Sequence, residues 1–313
     1  ADSPAAAHPS LSESVVVSWV QHMASTASQF PERMTLFWHG LLTSDRASAG
    51  PLPLVAQQIA LYRSSGTGDL RSLLLAVTRD PLMMRYLNLA DSTPAAPNEN
   101  YSRELMELFT LGAGNYTEDD VREGARALSG LRIVPLDANN QRVKLPARNG
   151  MKQQQYAAVI DAMVAQGLHF AGVLAPRLHD DGTKTFLGRT GNLGVEEVVD
   201  TILQQPACAE HIAARALSEF CTPSPSPVQV ASIANQFRSS NYDLRTLMRA
   251  IFTSDDFLAA SSYRALVRSP AQLVVASMRV LNRPTLAAAA TRAAIAMGPV
   301  SYTHLRAHET GRN

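Results

Sequence analysis

Two carboxylates three positions apart, with an arginine beside them, are equipment for acid–base work or for holding a divalent cation. Residues 97–107, PNENYSRELME, supply more than that: Asn98, Glu99, Asn100, Arg103, Glu104 and Glu107. On a helix at about 100° per residue, Glu99, Asn100, Arg103, Glu104 and Glu107 share one arc of about 140°, opposite Tyr101, Leu105, Leu108 and Phe109. Glu99, Arg103 and Glu107 then make an i, i+4 ladder of alternating sign. A solvated amphipathic helix has the same pattern, so the charges point to chemistry only if something faces them. The connection GAGNY (112–116) is short enough for the next helix to pack back as an αα-hairpin. That helix carries Arg122 and Arg126, which repel each other unless carboxylates face them, and Glu104 and Glu107 are the nearest candidates. The expected product is a partly buried ion-pair network, able to orient a catalytic carboxylate or a metal ligand.

A second set lies in HDDGTK, where His179, Asp180 and Lys184 flank a turn. A histidine with an aspartate can ligate a metal or move a proton, although polar Asp-Gly turns are more often simply exposed. The spacing is not that of an EF-hand loop. His39 in FWHGLL sits at the edge of an apolar stripe, where a structural histidine is the commoner outcome. HExxH, Walker, GxSxG, paired CxxC and dinucleotide glycine motifs are absent from the sequence. His22, His169 and His211 have no companions at ligand spacing.

The elements that must position these groups are helices. Val16, Trp19, Val20 and Met23 form one i, i+3, i+4, i+7 stripe, and Met34, Phe37, Trp38 and Leu41 form a second. Leu70, Leu73, Leu74 and Val77 form a third behind Asp69, a good N-cap. Pro81 opens another helix, Thr117 and Asp120 suggest a capping box, and Ser254 caps a short helix. LRIVPLDANNQRVKLPA reads as a hairpin turning at DANNQ, and LHFAGVLAPRLHDDGTKTFLG as extended chain turning at Asp181-Gly182. Helices resume from Val195, and no internal repeat is evident. The predicted fold is mainly α, a multi-helix domain over 1–298 with a small β-rich hairpin insertion at about 131–193.

Serine 301 to Thr310 is what a transposon-end sequencing adapter encodes when translated, so residues 299–313 are read as a non-native tail. Without it the charged residues fall from 28 basic and 27 acidic to 26 of each. A neutral chain without a basic run offers no electrostatic case for nucleic acid, and no apolar stretch is long enough to span a membrane. The opening ADSPAAAHPS shows no signal peptide. Cys208 and Cys221 fall on one predicted helix, about 20 Å apart, too far to bridge.

Together ERMTLFWHG (32–40), DPLMMRYLN (80–88), PNENYSRELMELFTLGAGNYTEDDVREGARALSG (97–130), HDDGTKTFLG (179–188), GVEEVVDTILQQPACAEHIA (194–213) and SPAQLVVASMRVL (269–281) resemble a bacterial family known as domain of unknown function 1800. The resemblance implies a mostly helical protein, exported to the periplasm or beyond. It also implies a gene neighbour encoding an exported phosphatase- or sulfatase-like protein, a candidate partner. The family's motif residues fall on Glu99, Asn100, Tyr101, Arg103, Glu104, Glu107, Tyr116, Asp120, Arg122, Arg126, His179, Asp180 and Lys184. Leu41 stands where the family tends to carry a second histidine, which removes one ligand from any two-histidine metal site.

Two functions follow. One is an exported helical module that binds or assembles with an exported partner. The other is a metal-dependent or acid/base hydrolase with Glu104, Glu107 and His179 as catalytic groups, a divalent metal as its cofactor, and His39, Asn98, Glu99, Asn100, Arg103, Arg122, Arg126, Asp180 and Lys184 around them. The hydrolase requires the His179 turn to fold onto the Glu104/Glu107 face. A third outcome is that all these residues are structural.

Overall fold

The predicted apolar stripes are what the helices bury. The first lies on α1 (Leu11–Ser25), the second on α2 (Gln29–Leu41) and the third on α4 (Leu70–Thr78), which follows α3 (Leu54–Ser65). All their residues are buried, each adding roughly 1.5–3 kcal/mol of transfer free energy. The chain is seen here as a computed structural model that describes residues 11–45, 48 and 52–297. The adapter-like segment and the opening stretch lie outside those residues.

The predicted caps form. Asp69 Oδ1 accepts from the Ser72 amide at 2.8 Å, and the Thr117 hydroxyl and Asp120 carboxylate close a reciprocal box. Asp80 caps α5 (Pro81–Tyr86). Then comes α6 (Glu99–Glu104), which runs directly into a π-helical segment, Leu105–Thr110, before α7 (Glu118–Ala127) folds back against it. A Cβ on Gly124 of α7 would collide with Ser102 Oγ and the Phe186 ring, so the close approach depends on that glycine.

The β-rich insertion is two separate pairs. β1 (Leu131–Leu136) pairs antiparallel with β2 (His169–Leu174), across α8 (Gln153–Val164). The DANNQ turn exists, held by the Asp137 carboxylate, but the returning chain adds only a single bridge, Leu136 with Arg142. β3 (Lys184–Phe186) and β4 (Arg189–Gly191) turn at Leu187-Gly188, both at positive φ, and not at Asp181-Gly182. Asp180 takes that stretch for itself, accepting from the Gly182 amide at 2.8 Å.

Among the described residues seven further helices follow: α9 (Val195–Gln204), α10 (Pro206–Phe220), α11 (Pro227–Ser239), α12 (Leu244–Phe252), α13 (Asp255–Leu258), α14 (Pro270–Val280) and α15 (Ala287–Ala296). Cys208 and Cys221 are buried free thiols at the two ends of α10. Among the described residues no helix is long and apolar enough to cross a membrane.

An internal repeat that the sequence reading misses emerges here. RSSGTGDLRSLLLAVTRDPLM (63–83) and RSSNYDLRTLMRAIFTSDDF (238–257) each end one helix, turn, cap the next with aspartate and start a third. The two turns pair with each other: Leu70 N donates to Tyr242 O at 3.0 Å and Leu244 N to Gly68 O at 2.9 Å. The units α3–α5 and α11–α13 therefore meet at equivalent turns, an arrangement approaching a local two-fold.

Candidate functional site

The α6–α7 hairpin forms as expected, but its register decides which charges meet. Ser102 lies against Gly124, Arg103 against Glu118, and Glu107 against Tyr116. Running antiparallel from those pairs, Arg126 falls level with the start of α6. It cannot reach Glu104 or Glu107. It binds Asp180 instead, Nε to Oδ2 at 2.7 Å, and Glu123 of its own helix at 2.8 Å. Arg122 points outward to Asp119. The arginine that serves the opening motif is its own Arg103, fork to fork on Glu118 with both distances 2.8 Å, and 3.5 Å from Glu99. Those hydrogen bonds hold its guanidinium pKa above the usual arginine range.

The HDDGTK turn docks at the far end of α7. His179 Nδ1 lies 3.0 Å from Ser129 O, and the Asp180 amide donates to Ser129 Oγ at 2.9 Å. Arg126 holds the Asp180 carboxyl below its ordinary pKa. Lys184 is buried, donating to Asn192 Oδ1 and Leu193 O at 3.1 Å each, and burial lowers its pKa. His179, Asp180 and Lys184 each have a partner, and none of those bonds reaches Glu104 or Glu107.

Asn98 caps α6 through the Asn100 amide at 3.0 Å, while Asn100 itself is exposed. His39 is sealed between Trp19, edge-on at 5.8 Å between ring centroids, and Tyr62 at 6.4 Å. Burial pushes its pKa down to about 3, so the imidazole is neutral and out of reach of substrate. The expected composite of His39, His179 and the two glutamates is thus distributed over three places. Among the described residues no group of three or more His, Cys, Asp or Glu side chains could hold a metal.

What remains is Glu104 and Glu107 on the π-helical face. The Leu111 amide bonds Met106 O, five residues back, at 2.7 Å, and the Thr110 hydroxyl takes Leu105 O. This wider turn breaks the 100° phasing and aims Glu107 at the Tyr116 hydroxyl, which it accepts. Burial and that hydrogen bond push the Tyr116 phenol up to about 12. Glu104 is half-buried and makes no hydrogen bond or ion pair with any described residue. Burial, then the charge of Glu107, raise its pKa, and its own charge helps raise that of Tyr86 on α5. A π-turn carrying a poorly solvated, unpaired carboxylate is the arrangement here with spare chemical capacity.

Two features escape any reading of the motif. Asp80 is buried, and burial pushes its pKa up to about 6. Its Oδ2 accepts from Gln58 Nε2 at 2.7 Å and the Met83 amide at 2.8 Å, while Oδ1 has no hydrogen-bond partner among the described residues. The Asp-Pro pair marks the cap in the sequence, but nothing there marks its depth. Arg33, Glu219 and Gln272 meet from three helices, with Arg33–Glu219 at 3.1 Å and Gln272–Glu219 at 2.7 Å. No local motif joins residues so distant in sequence.

A family model described as "Protein of unknown function (DUF1800)" matches residues 3–306, and the chain belongs to that family. The last matched positions reach into the segment read as adapter-derived. No curated protein and no solved structure is significantly similar.

Proposed function

We propose that this member of the DUF1800 family is an exported bacterial module that docks on an exported partner, the phosphatase- or sulfatase-like protein its resemblance implies as a gene neighbour. The observation carrying this reading is the distribution of apolar surface. Nine of the fourteen large apolar side chains exposed among the described residues lie between Leu258 and Met297. Val267 is 95% exposed and Val280 86%, with Leu281 beside it. Single exposed leucines are ordinary; their concentration in one segment marks a surface that something covers. The test is co-expression with the neighbouring exported protein. The native chain co-purifies with it, and Val280→Asp combined with Leu281→Asp reduces recovery about tenfold or more without lowering Tm. Undiminished recovery would end the proposal.

A second reading, acid/base hydrolysis on Glu104 and Glu107, is favoured by Glu104 on its π-turn, which makes no hydrogen bond or ion pair among the described residues. With its pKa raised by burial, Glu104 keeps its proton to higher pH than an ordinary glutamate and can offer it to a leaving group, while Glu107, oriented by Tyr116, supplies a base. His179 Nδ1 is engaged by Ser129 O, so this reading rests on Glu104 and Glu107. Chromogenic esters and phosphoesters test this reading. Turnover lost in Glu104→Gln with the fold intact supports it, and turnover equal in both proteins rejects it.

A further inference from the structure

The end of α1, the first turns of α2, the last turn of α10 and one side of α14 enclose an open cleft of about 360 Å³. That volume lies in the range of small-molecule sites, roughly 300–1,000 Å³. Met23, Leu36, Ala271 and Val275 give it an apolar floor. Two acids and three arginines also line it, and what decides the ligand is which of them are already engaged.

Both acids are committed. Glu32 accepts from Trp19 Nε1 at 2.8 Å and from Arg63 Nε at 2.5 Å, and Glu219 accepts from Arg33 and Gln272. Arg33 also lies over the Phe220 ring, 5.4 Å from its centroid. Arg279 donates to the Ala24 and Thr26 carbonyls at 3.3 and 3.0 Å, across the end of α1. Arg268 makes no hydrogen bond or ion pair with any described residue, and it stands just before the N-terminus of α14, where the helix dipole adds positive potential. The cleft is therefore an apolar trough with uncompensated positive charge, in which Arg279 is held by two carbonyls and Arg268, at the other end, keeps its donors for a ligand.

We infer that it binds a linear amphipathic monocarboxylate, its carboxylate on Arg268 and its chain along Ala271 and Val275. A cationic amphiphile meets Arg268 as a like charge, and a neutral one leaves that guanidinium unused. The inference does not rest on partner docking, although Val267 borders both surfaces. At about 100° per residue Ala271, Val275 and Arg279 lie on one side of α14, and the exposed Leu273 and Val280 on another.

Decanoate is the probe, titrated calorimetrically into the full chain, with decan-1-ol and decyltrimethylammonium alongside. Decanoate binds one to one, decanol about tenfold more weakly, and the ammonium does not bind. Arg268→Ala weakens decanoate about tenfold and Arg268→Glu abolishes binding; the side chain is exposed, so both variants fold. Val280→Asp leaves decanoate binding unchanged. No binding by decanoate, equal binding by decanol, or an Arg268→Ala variant that binds as the native protein does each overturns the inference.

Discussion

The two repeats, α3–α5 and α11–α13, share an architecture and differ in what they bury. Tyr62 corresponds to Phe237, and Leu70 and Leu73 correspond to Leu244 and Leu247, all buried in one core. Asp69 and Asp243 cap equivalent helices. At three other positions the first unit is polar where the second is apolar or neutral. Gln58 stands for Ile233, Thr78 for Phe252 and Asp80 for Ser254. Phe252 packs on Phe30, Phe220 and Phe257, whereas Thr78 bonds the Tyr101 hydroxyl at 2.8 Å and Asp80 sits beneath Gln58. Since serine caps the second unit adequately, the architecture does not require a buried carboxylate in the first. The polar substitutions gather where the first unit meets α6, whose Tyr101 feels the charge of Asp80 and whose Glu104 lies by Tyr86. The difference teaches that the fold has given up apolar packing on the side that carries the motif.

Converting one repeat into the other breaks the comparison most forcefully. Gln58→Ile alone removes a donor from Asp80 and the acceptor of the Ser44 hydroxyl, whose bond is 2.7 Å, leaving a buried carboxylate with one partner. The expected loss is about 3 kcal/mol in chemical denaturation. Gln58→Ile with Asp80→Ser reproduces the second repeat at both positions and recovers most of that loss. A double variant as unstable as the single one would show that the repeats are not equivalent environments.

The pH dependence of stability sharpens the contrast. Asp80 has a folded pKa of about 6 against an ordinary 3.8, so the folded chain holds this proton more tightly than the unfolded chain does. Stability from this group is therefore full below about pH 4, falls as pH rises towards 6, and stays lower above it. The drop is about 2–3 kcal/mol. Asp80→Asn abolishes that slope, because its amide oxygen serves Gln58 and Met83 while carrying no charge. Ser254→Ala leaves the slope intact and costs about 1 kcal/mol at every pH. Denaturation midpoints between pH 4 and 7 separate the two; an unchanged slope in Asp80→Asn would assign it to another group.

Much of this was legible in the residues, and the omissions have physical causes. Apolar stripes with a 3.6 period and caps such as Asp69 and Thr117 are local signals, and they placed the helices. The repeat was hidden by the one-residue difference between GTGD and NYD, which shifts the frame, and by the exchange of Gln58, Thr78 and Asp80 for residues of other polarity. The charged face of residues 98–107 was legible as a face, but its partners depended on hairpin register, which the glycine at 124 sets. The π-turn has only the faint mark of Thr110, whose hydroxyl competes for a carbonyl five residues back. Burial depth at Asp80 and His39 comes from packing by several distant segments, which no window of sequence contains.

The smallest expected effect is also the most informative about the motif. Glu104 and Asp180 are both carboxylates offered by the family pattern, yet Asp180 has Arg126 and Glu104 has no hydrogen-bond or ion-pair partner among the described residues. Their linkage signs are opposite. The depressed pKa of Asp180 makes its contribution present above the ordinary carboxylate pKa and lost as acid protonates it. The raised pKa of Glu104 makes its ionised form a cost at neutral pH, relieved as pH falls. Replacing a residue that serves only the fold should not improve the fold. Glu104→Gln is therefore expected to raise stability at pH 7 by about 0.5–1 kcal/mol, as replacing a residue kept for function commonly does. At pH 4 the gain shrinks, since the native side chain is then largely protonated. Thermal denaturation at the two pH values measures both, and a destabilised Glu104→Gln variant at pH 7 would return Glu104 to the structural framework with Asp180.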